Sequence, residues 1–471
     1  MKQLAPADSV ALAAETETLP QNIGVLVVLD PSDAPEFGFE ALVRALEGRV
    51  ERVPVYTHRI LEMPFGLDHA YLVADPAFDV RQHLHRSRVP APGGLRELTE
   101  LASRLFAPCL DRSRPLWEMW FLDGLADGRV ALLYKVHHCL ADGVALTGLA
   151  QLLFDLSAKP AADRPRDVPQ LADRDEGPLS DADLWLRAAE NTLQRPLELA
   201  RVGLSLLRQQ VAGATEPRDD APRTPLQVPA TVFNGRVAAG RGYSCARVPF
   251  ADVRALREHF DVTVNDVLLA LASGAVRYYL ASRGELPDGE LVVSVPVSER
   301  STSHEFTTDN QLTHTTVAFG THLADPAARL RHIHESAAAG KRRARTRDVN
   351  VLSSVGRILA PGAVQWLMRL AAPLGGDLPL PVNLTVSSLR ATPFPLYVAG
   401  ARLEHVYPMT VLQPTQGLGI TAVSYVDTVY FGFTHTPELL PDPWVLAEGV
   451  EKSLSELLTT RSAARRRRPA D

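Results

Sequence analysis

The chain has 471 residues, too many for one ordinary core and suited to two domains of roughly 200 residues each. Its apolar fraction of 46% and charged fraction of 22% are those of a soluble globular protein, and a net charge of −6 lacks the basic excess that nucleic-acid binding needs. Three scattered cysteines, Cys109, Cys139 and Cys245, make neither a disulfide framework nor a zinc site, and suit a reducing cytoplasm.

The N-terminal residues lack an apolar stretch of signal-peptide length, and no run reaches about 18 apolar residues, so neither a leader nor a spanning helix is expected. The first 155 residues read as mixed α/β: a strand over 24–29, helices over 40–48 and 95–106, a strand over 129–136, and a helix from 143 to 153. Residues 159–178 are dense in Pro, Asp and Arg and read as a linker. A long helical pattern over 181–211 and a polar stretch over 215–229 with four prolines complete a crossover between two halves. The second half repeats the α/β texture: a strand-then-helix unit from Val248, a helix over 265–280, a strand over 291–297 and an apolar helix pair over 350–375. A closing hairpin over 418–425 and 428–433 and a last helix over 443–458 follow, and a basic tail ends the chain. The expected domains are therefore 1–155, a crossover over 156–229, and 230–460, with a disordered tail over 461–471.

The strand over 129–136 runs straight into His137-His138, with Asp142-Gly143 three residues further on. Side chains alternate along a strand, so the two imidazoles point to opposite faces. One can stand in a cleft while the other packs into structure. An imidazole titrating near neutrality is the natural base for an alcohol, because a neutral hydroxyl is a poor nucleophile toward a thioester. Asp142 could hold the loop through an arginine or orient the imidazole, and Gly143 permits the tight turn. Other readings are two satisfied histidines at a strand end, a metal site, or Cys139 as nucleophile. Adjacent histidines diverge and no further ligand stands at the right spacing, which disfavours a metal. A cysteine in this position is ordinarily a small packing residue.

With Pro115-Leu116-Trp117 upstream and Asn265-Asp266-Val267-Leu268-Leu269 downstream, the His-His-x-x-x-Asp-Gly run resembles the bacterial wax ester synthase/diacylglycerol acyltransferase family. That family lies within the superfamily of CoA-dependent acyltransferases and nonribosomal condensation domains. The resemblance covers nearly the whole chain, through segments 4–8, 109–118, 233–235 and 296–298, Asn310, and segments 417–418 and 424–425. It implies an α/β (α+β) fold of two chloramphenicol-acetyltransferase-like domains with a tunnel between them. It also implies that His138 takes the acceptor's hydroxyl proton and that the alkoxide attacks acyl-CoA directly, with His137 and Gly143 completing the run and Asp142 mainly structural. No metal or prosthetic group is implied; acyl-CoA is a substrate. Asn265 and Asp266 become candidate substrate-binding residues. Asn265 would donate an amide hydrogen to the oxyanion or position a substrate, or else act as a helix N-cap. Trp117 reads as a core or interface anchor.

There are departures from the family pattern. The usual Asn-x-x-x-Ser-Asn-Val-Pro-Gly-Pro segment here runs from Asn383 to Thr392 without the second Asn or the Pro-Gly-Pro turn. The usual Met-His-Ile-Gly is Gln21-Asn22-Ile23-Gly24, and Asp309 replaces the Gly before Asn310. These changes bear on the substrate more than on the reaction. The leading expectation is an O-acyltransferase making neutral lipid esters from diacylglycerol or a long-chain alcohol. Alternatives are a diverged or condensation-like enzyme acylating a specialised metabolite, from CoA or a carrier-protein donor, and a non-catalytic lipid-surface binding protein. The helices around 351–374, interrupted by Arg357 and Arg369, could line a tunnel or lie on a membrane or lipid-droplet surface.

Overall fold

The computed structural model describes residues 2–51, 53–140, 153–159, 182, 184–192, 227–298, 312–346, 360–371 and 382–466. Asp142, Gly143, Asp309 and Asn310 therefore lie outside the described residues, as do most of the expected linker and of the helical pattern over 181–211.

Two six-stranded sheets organise the molecule. The first has the order β12 (Tyr397–Val398), β13 (Ala401–Met409), β2 (Asn22–Asp30), β7 (Val130–His137), β6 (Trp117–Asp123), β5 (Leu84–Arg88). Its neighbours are antiparallel except β5 and β6. The second has the order β10 (Leu312–Ala318), β9 (Val292–Ser298), β11 (Leu384–Arg390), β14 (Leu418–Tyr425), β15 (Thr428–His435), β8 (Gly242–Pro249). Here β11 runs parallel to both of its neighbours and the other pairs are antiparallel. A small third sheet joins β1 (Lys2–Gln3), β4 (Tyr71–Ala74) and β3 (His58–Leu61).

Each large sheet carries its own core. In the first, β2 is a run of Val, Leu and Ile because it is the central strand and is covered on both faces. Helix α4 (Leu95–Phe106) packs one apolar stripe, Leu98, Leu101, Ala102 and Phe106, against the sheet. A Cβ on Gly24 of β2 would crowd the Phe106 ring at the helix end and collide with the Tyr134 carbonyl of β7. Glycine is required there for the close approach. The neighbouring Asn22 ties the same junction, donating its amide hydrogens to the carbonyls of Phe106 and Pro108 at 3.0 and 2.8 Å. In the second core, α6 (Val264–Ser282) lies against α9 (Trp444–Arg466), and Gly449 meets the Ala275 backbone so tightly that no side chain fits between.

Two expectations about chain organisation change. Residues 397–409 follow most of the second half in sequence but complete the first sheet, with β13 paired along β2 from Arg402↔Asp30 to Met409↔Gly24. The two domains are therefore not simply consecutive. The last helix runs on to Arg466, into the stretch expected as a tail. Of the apolar helix pair expected over 350–375, the described part is one helix, Pro361–Ala371, whose Val364 packs on Val10 and Ala13 of α1 (Pro6–Ala14) while Trp366 faces solvent. Among the described residues no helix is long and apolar enough to cross a membrane.

Candidate active site

Strand β7 delivers its last residue, His137, into the protein and the next, His138, to a cavity. His137 is fully buried. Its backbone N–H donates to the Leu116 carbonyl at 3.0 Å, so the Pro115-Leu116-Trp117 segment anchors the strand end. Trp117 is a core anchor: its indole N–H donates to the Tyr56 carbonyl at 2.9 Å, and its ring stacks on His83. The chain then turns. The Cys139 N–H donates to His137 Nδ1 at 3.1 Å, and the Leu140 N–H to the His137 carbonyl at 3.0 Å. The His138 N–H donates to the Gln21 carbonyl at 2.7 Å.

Behind this turn lies a charged group that no motif marked. His137 Nδ1 is an acceptor, so a neutral ring carries its proton on Nε2, which faces Glu15 Oε1 at 3.3 Å without the alignment of a full hydrogen bond. Glu15 ends α1. Its carboxylate is almost wholly enclosed and accepts the Gln21 N–H at 3.2 Å and Arg112 Nη2 at 2.9 Å. Arg112 also reaches Glu62 at 2.7 Å and the Leu12 carbonyl at 2.8 Å. Burial alone would raise the Glu15 carboxyl. The His137 ring, the Gln21 N–H and the Arg112 guanidinium outweigh it and hold the group at about 2. Glu15 thus touches both supports of the turn, bonding the loop that takes the His138 N–H and facing the flank of His137. Only an acidic side chain at the end of a short, mostly apolar N-terminal helix could have flagged it.

His138 itself is half-buried and lines a cavity of about 300 Å³ between the two sheets. One wall is Val10 and Ala11 of α1, Val25 and Val27 of β2, and Leu403, Val406 and Pro408 of β13. The other is Thr385, Ser387 and Leu389 of β11, Val423 and Tyr425 of β14, and His314 of β10. Most of this lining is apolar, which suits an alkyl chain better than a polar ligand. The altered segment from Asn383 to Thr392 begins as structure and continues as cavity wall. Asn383 is structural: its amide donates to the Pro229 carbonyl at 2.7 Å and to Asn234 at 3.0 Å, and accepts the Val292 N–H at 2.9 Å. The residues after it, from Thr385 to Thr392, supply five of the cavity's side chains. The sequence departure falls on the cavity wall.

The two helix residues expected to bind substrate sit elsewhere. The N-cap of α6 is Thr263, whose hydroxyl accepts the Asp266 N–H at 3.2 Å while Asp266 accepts the Thr263 N–H at 2.9 Å. This reciprocal box, and not Asn265, caps the helix. Asp266 is buried, its carboxylate also bonded to His334 Nδ1 at 2.7 Å, and it is a capping group with no place on the cavity wall. Asn265 stands behind the wall and accepts the Ser388 hydroxyl at 2.6 Å. Cys139 is buried and its thiol is pushed far up by desolvation, which removes it as a nucleophile. Among the described residues no cluster of three His, Cys, Asp or Glu side chains could hold a metal ion.

Comparison with known proteins gives a consistent picture. Residues 4–268 match the model of the wax ester synthase/diacylglycerol acyltransferase catalytic domain, and residues 308–458 match that of the C-terminal domain of the same family. A Mycobacterium tuberculosis protein named "Putative diacyglycerol O-acyltransferase" is 33% identical over 97% of this chain and 90% of its own length. A second M. tuberculosis protein of the same name is 33% identical over 96% of this chain and 99% of its own length. Among solved structures, the wax ester synthase/diacylglycerol acyltransferase from Marinobacter aquaeolei VT8 superposes with a TM-score of 0.71 at 25% identity, covering 98% of this chain and all of that one. The first condensation domain of the calcium-dependent antibiotic synthetase shares the fold alone, with a TM-score of 0.60 at 16% identity over 98% of this chain and 96% of that one.

Proposed function

Since the chain belongs to the wax ester synthase/diacylglycerol acyltransferase family and is an acyltransferase, we propose that it moves a fatty acyl group from acyl-CoA to an alcohol, with His138 as the general base. The acceptor hydroxyl gives its proton to the His138 imidazole as its oxygen attacks the thioester carbonyl. The carbon–sulfur bond then breaks, the imidazolium returns the proton to the departing thiolate, and an ester and free CoA result. The step needs no metal or prosthetic group. The observation that carries the reading is the division of labour at the turn: His137 is buried and bonded into structure, while His138 opens onto an apolar cavity between two sheets. Diacylglycerol or a long-chain alcohol is the acceptor in this reading, and a peripheral place at a membrane or lipid-droplet surface goes with such substrates.

The test is release of CoA thiol from palmitoyl-CoA with hexadecanol and with dipalmitoylglycerol, for the wild type and His138→Ala. Loss of the general base is expected to cost about a hundredfold or more. Full activity in His138→Ala would remove it from the mechanism. A second reading, acylation of a specialised metabolite, draws on the cavity wall from Thr385 to Thr392, which is where the sequence leaves the family pattern. A wild type silent with both acceptors would favour it.

A further inference from the structure

The cavity holds a second imidazole. Among the described residues that line it, the ionisable side chains are His138, His314 and Tyr425. The Tyr425 hydroxyl is consumed by the fold, donating to the Leu403 carbonyl at 3.0 Å and accepting the Leu396 N–H at 2.9 Å. His314 differs. It stands on β10, the edge strand of the second sheet, so it faces the same space as His138 from the other domain. Its Nδ1 is fixed by the Ser294 hydroxyl at 2.9 Å. Its Nε2 has no hydrogen-bond partner among the described residues, although the ring is open to the cavity. The side chain is exposed, yet desolvation by the protein on its other sides lowers its pKa from the ordinary histidine value, so at neutral pH the uncharged form predominates.

A neutral imidazole in an apolar channel imposes a choice on the ligand. Filled by a plain alkyl chain, the channel strips water from Nε2 and gives nothing back. Filled by a chain that carries an oxygen at that depth, it recovers the bond. The Ser294 hydroxyl can serve either tautomer, and an ester oxygen selects the one with its proton on Nε2. If the Ser294 hydroxyl donates to Nδ1, Nε2–H is a donor and takes an ester carbonyl; if Nδ1–H donates to Ser294, Nε2 accepts a hydroxyl. We propose that His314 is a specificity-determining residue that binds a second oxygen of the acceptor, so that the cavity selects a hydroxyester such as a partial glyceride over a simple long-chain alcohol. This rests on the acyltransferase reading given above, and it adds the class of acceptor and the residue that chooses it.

The experiment compares dioctanoylglycerol with dodecanol on the wild type, His314→Leu and His314→Asn. Ester formation from palmitoyl-CoA gives kcat/KM for each acceptor. Binding of each acceptor, followed by intrinsic tryptophan fluorescence, is measured on the same proteins and needs no turnover. The wild type is expected to prefer the glyceride by about tenfold, a neutral hydrogen bond's worth. His314→Leu should abolish that preference in both measurements, chiefly by losing the glyceride. His314→Asn, which keeps a donor and an acceptor, should retain most of it. Equal losses with both acceptors, or an unchanged preference in His314→Leu, would overturn the assignment. Retained activity in His138→Ala would sink the general-base reading and leave this comparison standing.

Discussion

Replacing Glu15 by Gln keeps the shape of the side chain and removes its charge. Arg112 then loses an anion and the His137 Nε2–H loses the carboxylate it faces. The His138 turn is expected to loosen, and, with His138 as the proposed base, kcat to fall by about tenfold to a hundredfold with little change in KM, because misplacing that group affects the reacting geometry more than binding. A loss in Glu15→Asp with Glu15→Gln left at wild-type activity would argue for bulk and against charge. The same carboxylate makes stability depend on pH. Its folded pKa lies at about 2 against an ordinary 4.5, so the stabilisation is present above about 4.5 and is lost as pH falls toward 2. The contribution is about 3 kcal/mol. Urea melts from pH 5 down to pH 3 should show the wild type losing stability faster than Glu15→Gln; parallel loss would exclude the role. His138 was legible because a strand, a doublet and a turn announce it. Glu15 and His314 were not, since each is a single residue whose meaning comes from what folds against it: Arg112 from 97 positions away, and Ser294 from the neighbouring strand.

At the scale of elements, helices with a strong apolar stripe were read closely. The helix expected over 95–106 is Leu95–Phe106, and the one expected over 265–280 is Val264–Ser282. Their caps were harder, because a cap is a reciprocal contact and not a residue type. Asn265-Asp266 looks like a polar pair at the mouth of a site, yet Thr263 and Asp266 close on each other and His334 completes the pair. Asp266→Ala is accordingly expected to cost about 1–2 kcal/mol of stability through the lost cap and the stranded imidazole. Its acceptor preference should match the wild type. A changed preference at unchanged stability would return Asp266 to the substrate site. Strand β13 escaped the sequence entirely. A bulge between Leu403 and His405 breaks its alternation, and Pro408 sits inside it. The proline is tolerated because β12 pairs with β13 only at its start, through Arg402 and Ala401, leaving that side of Pro408 without a strand partner.

For the whole molecule, the composition shift after residue 155 suggested two halves, but it could not reveal that 397–409 return to the first sheet. Periodicity reports local pairing, and this pairing spans most of the chain. Because β13 joins one core while its flanking segments belong to the other, the two sheets are expected to unfold together. Near-ultraviolet dichroism and tryptophan fluorescence should trace one coincident thermal transition. Two separated transitions would show that the sheets are independent.

The same return has a consequence in time. Strand β2 and the His138 turn emerge early from the ribosome, but the edge of β2 that receives β13 waits for Met409, about 270 residues after His137. At roughly 5–20 residues per second, that edge stays open for some tens of seconds. It is an apolar run of Val, Leu and Ile, the kind of edge that neighbouring nascent chains can join. The cell must therefore shield an unfinished sheet for most of the chain's synthesis, and yield should fall when translation is fast or crowded, before any catalytic residue is tested.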